Sequence, residues 1–318
     1  MRRAFAIGLV LLMIGSVRGQ EYPTRPVTIV VPTAVSSVAD IVARSLAPLL
    51  GQRLGQSVVV ENRTGAGGNI AVAYAAKAAP DGHTVLLSSN AMVIAPLLQK
   101  SVGYDPIADF APIGRLGTTV LALVVNPQVA AKSVDELVRL AASQPGRLNY
   151  ATPGNGTPQH LAMEHFKQLK GGLAITHIPF AQSGAAMSEL VAGRVEMAFV
   201  ALTQALPQVR SEKLRALALA GDARSSALPD IPSFRELGVE ALDNPWVGLL
   251  APARTSPAIV NRLAAEIGTL LSRPEQQEVM TKAGIVPAVN SPAEFGEQMR
   301  RDLARWRKVI EAAGIKPD

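Results

Sequence analysis

Short apolar runs alternate with longer amphipathic segments along most of the chain. Residues 27–31 (VTIVV) are a β-branched run after Pro26, and the loop 32–40 leads into a helical pattern that reaches Leu54. This predicts a strand, a loop and a helix. The same unit recurs: strands are expected at 58–60, 84–88, 120–125, 148–150, 175–178, 196–200, 214–220 and 246–250. Helices are expected at about 69–78, then at 133–143, 161–169, 185–192 and 203–210, with three more at 257–271, 274–283 and 292–313. Two helix starts carry capping signals, Ser133 with Glu136 and Ser291-Pro292-Ala293-Glu294. Trp306, on the last helix, is expected in a core. The alternation predicts an α/β protein whose strand-to-helix loops gather at the carboxyl edge of a parallel sheet, where open α/β folds bind ligands.

Three of those loops share one chemistry. In 151–160 (ATPGNGTPQH), Gly154 and Gly156 permit close backbone approach, and Thr157 before Pro158 starts a helix with unpaired amides. Such a terminus accepts a carboxylate. Ser36 and Ser37 stand at a second helix start, and Ser88-Ser89-Asn90-Ala91 repeats small polar residues after a strand end. Capped turns without a ligand would show the same residues.

Other chemistries fail on spacing. Gly65, Gly67 and Gly68 begin a dinucleotide fingerprint, but Ile70 stands at the third glycine and Asp81 comes too early for the ribose; Gln159 spoils the same test at Gly154 and Gly156. No Cys is present, which removes disulfides, thiol catalysis and zinc-thiolate sites. His160 and Glu164 share a helix face, but His165 is rotated away, so HLAMEH does not imitate a zinc helix. His83 falls in a turn and His177 in a strand, without an identifiable partner. A hydrolase using His160 and a serine has no nucleophile elbow to support it.

Composition narrows the picture further. With 318 residues, 48% hydrophobic and 18% charged, there is material for two domains, while 4% aromatic residues leave little for base stacking. Arg2 and Arg3, the apolar stretch 4–15 and Val17-Arg18-Gly19 read as an export signal cleaved after Gly19; the alternative is a retained anchor, for which the run is short. Losing Arg2, Arg3 and Arg18 halves the formal charge of +6, so nucleic acid is not an expected partner.

The motifs now collected resemble one family. They are Tyr22-Pro23 with Arg25-Pro26, VVVENRTGAGGNI from Val58, AAPDGHT from Ala78, YDPIADFAPI from Tyr104, LNYATPGNGTPQHL from Leu148, ALPDIP from Ala227 and the terminal AAGIKPD. Together they resemble the periplasmic solute receptors of tripartite tricarboxylate transporters, the Bug receptors, over nearly all of the mature chain. The resemblance implies an α/β type II periplasmic-binding-protein fold, two lobes joined by two crossover segments near 118–123 and 243–249. Lobe one would comprise 20–120 and 248–318, and lobe two 121–247. It also implies a non-enzymatic, monomeric, periplasmic receptor without cofactor or metal. Such a receptor closes like a flytrap on a small organic carboxylate and passes it to membrane permease subunits, or reports it to a membrane sensor.

By position, lobe one would contribute Thr33, Ala34, Val35, Ser36, Ser37, Ser88, Ser89, Asn90 and Ala91, with the 67–69 segment beside them. Lobe two would contribute Thr152, Gly154, Asn155, Gly156, Thr157, His160, Phe180, Ala181, Gln182, Ser183, Val200 and Ala201. His160 either donates to the ligand or caps the loop, and Asp40 braces its helix. Two departures stand out. Thr33, Val35, Ser36 and Ser37 replace Phe, Pro and two glycines of the usual first loop, and Val200 replaces an Asp able to meet a ligand ammonium. The second departure predicts a carboxylate without an amino group.

Overall fold

The computed structural model describes residues 22–239 and 242–315 of the 318; the expected signal at 1–19 lies outside the described residues. Two mixed sheets organise the chain. The first has the order β11-β4-β10-β3-β1-β2, from β1 (Val27–Val31), β2 (Val58–Asn62), β3 (Thr84–Ser89), β4 (Phe110–Thr118), β10 (Trp246–Pro252) and β11 (Val286–Pro287). The second has the order β7-β6-β8-β5-β9, from β5 (Leu121–Val125), β6 (Asn149–Thr152), β7 (Thr176–Pro179), β8 (Met197–Ala201) and β9 (Arg215–Leu219).

The helices cover both faces of each sheet. Helix α1 (Val38–Leu54) and α8 (Pro257–Leu271) bury one face of the first sheet; α2 (Asn69–Ala76), α3 (Ala91–Leu98) and α10 (Pro292–Ala312) bury the other. Helix α9 (Pro274–Lys282) leads into β11. On the second sheet, α4 (Val134–Ser143) and α5 (Pro158–Leu169) cover one side, α6 (Ser183–Val191) and α7 (Leu202–Arg210) the other. These are two α/β lobes, the arrangement that the family resemblance implies.

The sheets are not purely parallel. Strand β10 runs antiparallel between β3 and β4, and β5 runs antiparallel to β8 and β9. Both reversals follow from the chain passing between sheets twice. Strand β4 and helix α3 escape the hydrophobic pattern altogether. Gly114 and Gly117 dilute the β signal of 110–118, yet a Cβ on Gly117 would sit 2.5 Å from the Val286 carbonyl oxygen, so the glycine is what lets β11 approach. Helix α3 is apolar apart from its cap and contains Pro96, so no amphipathic period marks it.

The caps divide similarly. Ser291 and Glu294 form the full reciprocal box on α10. On α4, Ser133 accepts the Glu136 amide, but the Glu136 carboxylate turns back to the Lys132 amide at 2.7 Å, so only half of that box is made.

A small apolar seam joins the lobes. Leu161 of α5 is fully buried with Ile94 of α3 and Trp306, Val309 and Ile310 of α10, and Gln168 donates to the Val309 carbonyl at 2.9 Å. Trp306 is therefore core, as its position implies.

Two glycines test this packing. Gly248 on β10 faces Phe295, whose Cζ would lie 2.3 Å from an added Cβ, whereas Gly268 on α8 faces open space. Gly248→Ala is expected to lose about 1–3 kcal/mol by overpacking. Gly268→Ala is expected to gain up to about 1 kcal/mol of helix propensity. Urea midpoints at unchanged slope check both.

Candidate ligand-binding site

The lobe-one jaw is the turn between β1 and α1. Ser36 adopts a left-handed φ of 66°, a conformation that glycine takes without cost. Its amide is held by the Asp40 carboxylate at 2.9 Å, and the Asp40 amide in turn donates to the Ser37 hydroxyl at 3.3 Å. The Ser37 and Thr33 hydroxyls meet at 2.6 Å. Asp40 is buried, and Arg44 and Asn62 also donate to it; Asn62 reaches the Thr33 carbonyl as well. Burial alone would raise the Asp40 pKa, but its bonds from Arg44, the Ser36 amide and Asn62 outweigh that and hold it below the ordinary carboxylate value. Asp40 thus braces the jaw. Ala34 and Val35 project from it and are exposed.

The lobe-two jaw is the turn between β6 and α5. Thr157 caps α5, accepting the His160 amide, and donates its hydroxyl to the Gly154 carbonyl at 2.8 Å. Gly154 donates to the Thr152 hydroxyl at 3.2 Å, and Gly156 donates to His160 Nδ1 at 3.0 Å. The glycine amides are therefore used inside the turn. Their left-handed φ values, 134° and 69°, shape the turn, and a Cβ on Gly156 would collide with Leu98 of α3. The amides of Asn155, Thr157 and Gln159 here, and of Val38 and Ala39 at the start of α1, have no protein acceptor among the described residues. Two helix N-termini thus present free donors, as an anion seat requires.

The other expected residues have mixed settings. Ser88 and Asn90 are buried, with Asn90 Oδ1 unpaired; Ser89 accepts the Ala91 amide at 3.3 Å, and Ala91 is exposed. Gly68 packs against Pro32, while the Asn69 side chain is engaged by Gln99 and Tyr104. Ala181 and Gln182 are exposed, Phe180 and Ser183 half-buried. Val200 is buried in the apolar cluster under α6 and α7, and Ala201 is half-buried at the strand end. No hydrogen bond among the described residues joins the two jaws.

Sequence reasoning missed Arg44 and Asn62 behind the first jaw, and His177, Tyr150 and Glu164 behind the second. The strand pairing Tyr150↔His177 places those two side by side, information that appears only once the register is known. A cavity of about 980 Å³ lies elsewhere, beside the crossovers, lined by residues such as Arg115, Asn244, Glu294 and Gln298. Arg224 and Arg305 in its wall are paired with Glu236, Asp243 and Asp302.

Comparison with known proteins places the chain in a family. Residues 42–315 match the tripartite tricarboxylate transporter family receptor, and the chain belongs to that family of periplasmic solute-binding receptors, which are not enzymes. It is 35% identical over 303 residues to Protein BugT of Bordetella pertussis, covering 94% of this chain and 93% of BugT. A solved structure from R. palustris with adipate is 31% identical, with a TM-score of 0.74 over 93% of this chain and 100% of its own. MatC from Rhodopseudomonas palustris with bound malate is 30% identical, with a TM-score of 0.69 over 91% and 100%.

Two variants probe the first jaw. Ser36→Gly relieves the left-handed strain and is expected to raise stability by about 1 kcal/mol, read as a higher urea midpoint. Asp40→Asn is expected to destabilise at pH 7. Because the folded pKa is lowered, the carboxylate's contribution is full above the unfolded value near about 3.9 and is lost as pH falls through the folded one. The gap between wild type and Asp40→Asn should therefore narrow in unfolding curves taken progressively below that unfolded value.

Proposed function

We propose that this receptor captures a small organic carboxylate lacking an amino group between its two jaws and delivers it to the permease subunits of a tripartite tricarboxylate-type transporter. The carrying observation is the pair of helix N-termini, α1 and α5, with unpaired amides beside hydroxyls and without an arginine or lysine in either turn. Each terminus favours a carboxylate by roughly 0.3–1 kcal/mol, and more in a dry cleft. Val200, buried and apolar, offers no partner to an ammonium group. Adipate and malate, held by two relatives, are dicarboxylates without an amino group.

On this reading lobe one is 20–120 with 248–318, lobe two is 121–247, and the lobes close about the paired crossovers. The chain is exported through residues 1–19 and works as a monomer in the periplasm. A thermal-shift screen of mono-, di- and tricarboxylates, each with and without an amino group, tests the ligand class. A true ligand at about 100 times its Kd should stabilise by about 2.7 kcal/mol. A response confined to amino acids would reject the amino-free ligand, and silence from every carboxylate would reject the anion seat.

A further inference from the structure

Behind the 154–157 turn stands a wall of three near-parallel rings. His177 and His160 stack at 4.0 Å between centroids and 12° between planes, and Tyr150 lies 4.8 Å from His177 and 6.2 Å from His160. His177 Nε2 is 2.6 Å from the Thr152 hydroxyl, which itself binds both the amide and the carbonyl of Gly154 at 3.2 Å. That fixes the first half of the turn. The second half hangs on His160 Nδ1, which accepts the Gly156 amide at 3.0 Å. One side chain, His177, thus touches the supports of both halves.

We propose that His177 is a positioning residue for ligand capture, holding Thr152 and the His160 ring so that the Asn155, Thr157 and Gln159 amides stay in register, and that it does so only while both imidazoles are uncharged. The proposal rests on the carboxylate-receptor reading. Its chemistry follows from the acceptor role of His160: a proton on Nδ1 sets a donor against the Gly156 N–H, and a charge on His177 lies 4.0 Å from the neighbouring imidazole. The charged groups facing the stack are Glu164 and Lys167 of α5, which pair at 2.6 Å, and the neutral Tyr150 hydroxyl of β6 donates to Glu164 at 2.5 Å. Glu164 is thereby occupied, and no acidic side chain hydrogen-bonds either imidazole among the described residues.

Burial, with His160 and Lys167 adding and Glu164 opposing, pushes the His177 pKa down to about 4; burial and Lys167 lower that of His160, again against Glu164. The sign follows. The unfolded chain takes up protons near about pH 6.5 and the folded one does not, so the neutral stack's contribution is full above that pH and is lost as pH falls toward the folded values.

The test uses the mature chain and three measurements. Amide NMR between pH 7.5 and 3.5, without ligand, should show the Gly154 and Gly156 signals moving with the imidazole carbons of His160 and His177. Calorimetry at pH 7.5 with malate and adipate should show His177→Ala and His177→Phe binding about tenfold more weakly, one hydrogen bond's worth of loop order. His177→Gln, which can still reach Thr152, should recover part of the affinity. Unfolding curves should show a shallower loss of stability between pH 6.5 and 4.5 in His177→Gln than in wild type. Unchanged affinity in His177→Ala, or loop amides indifferent to the imidazole titration, overturns the proposal. If wild type binds no carboxylate while its loop amides still titrate with the rings, the carboxylate reading fails and the positioning of the turn by His177 stands.

Discussion

Strand β10 is the constraint on which the architecture turns. It lies buried along its whole length, antiparallel between β3 and β4, and it reaches that place only after the chain has built the second sheet. Because it returns beside the outgoing strand, the two passages between lobes run side by side: the Thr119 amide donates to the Pro245 carbonyl at 2.8 Å, and Asn244 bonds both the Leu121 amide and the Ala220 carbonyl. The seam of Leu161 against α3 and α10 adds a third point of attachment near the α5 terminus. These contacts hold the 154–157 turn beside α3, with Leu98 against Gly156.

The two jaws reach the same electrostatic result by different means. Lobe two uses glycine: Gly154 and Gly156 take left-handed conformations, their amides are satisfied within the turn, and the donors of the first helical turn remain. Lobe one forces Ser36 into that conformation and holds it with a buried carboxylate. Asp40 costs desolvation, which its bonds from Arg44 and Asn62 offset. The negative charge also sits behind the α1 terminus, where it favours the helix, and Arg44 beside it offsets that charge.

Much of this was legible where local pattern and tertiary pairing agree. Strand β1 is β-branched, β5 and β8 carry unbroken apolar runs, Thr157-Pro158 announces a capped helix, and the scattered motifs identify the family. Strand β4 was not legible, because its glycines serve a neighbour more distant in sequence and weaken its own signal. Ser36 was not either, since a serine gives no notice of a positive φ. His177 becomes visible only through its register with Tyr150, a fact of strand pairing that no local window contains.

The placement of β10 also imposes a schedule. Strand β4 has two partners, β10 and β11, and both follow the entire second lobe in the chain. Whenever the chain emerges from its N-terminus, β4 appears with both edges bare until β10 and β11 follow. Glycines that spare room for late partners also make it a poor template for wrong ones, because a strand weak in β propensity pairs poorly with strangers.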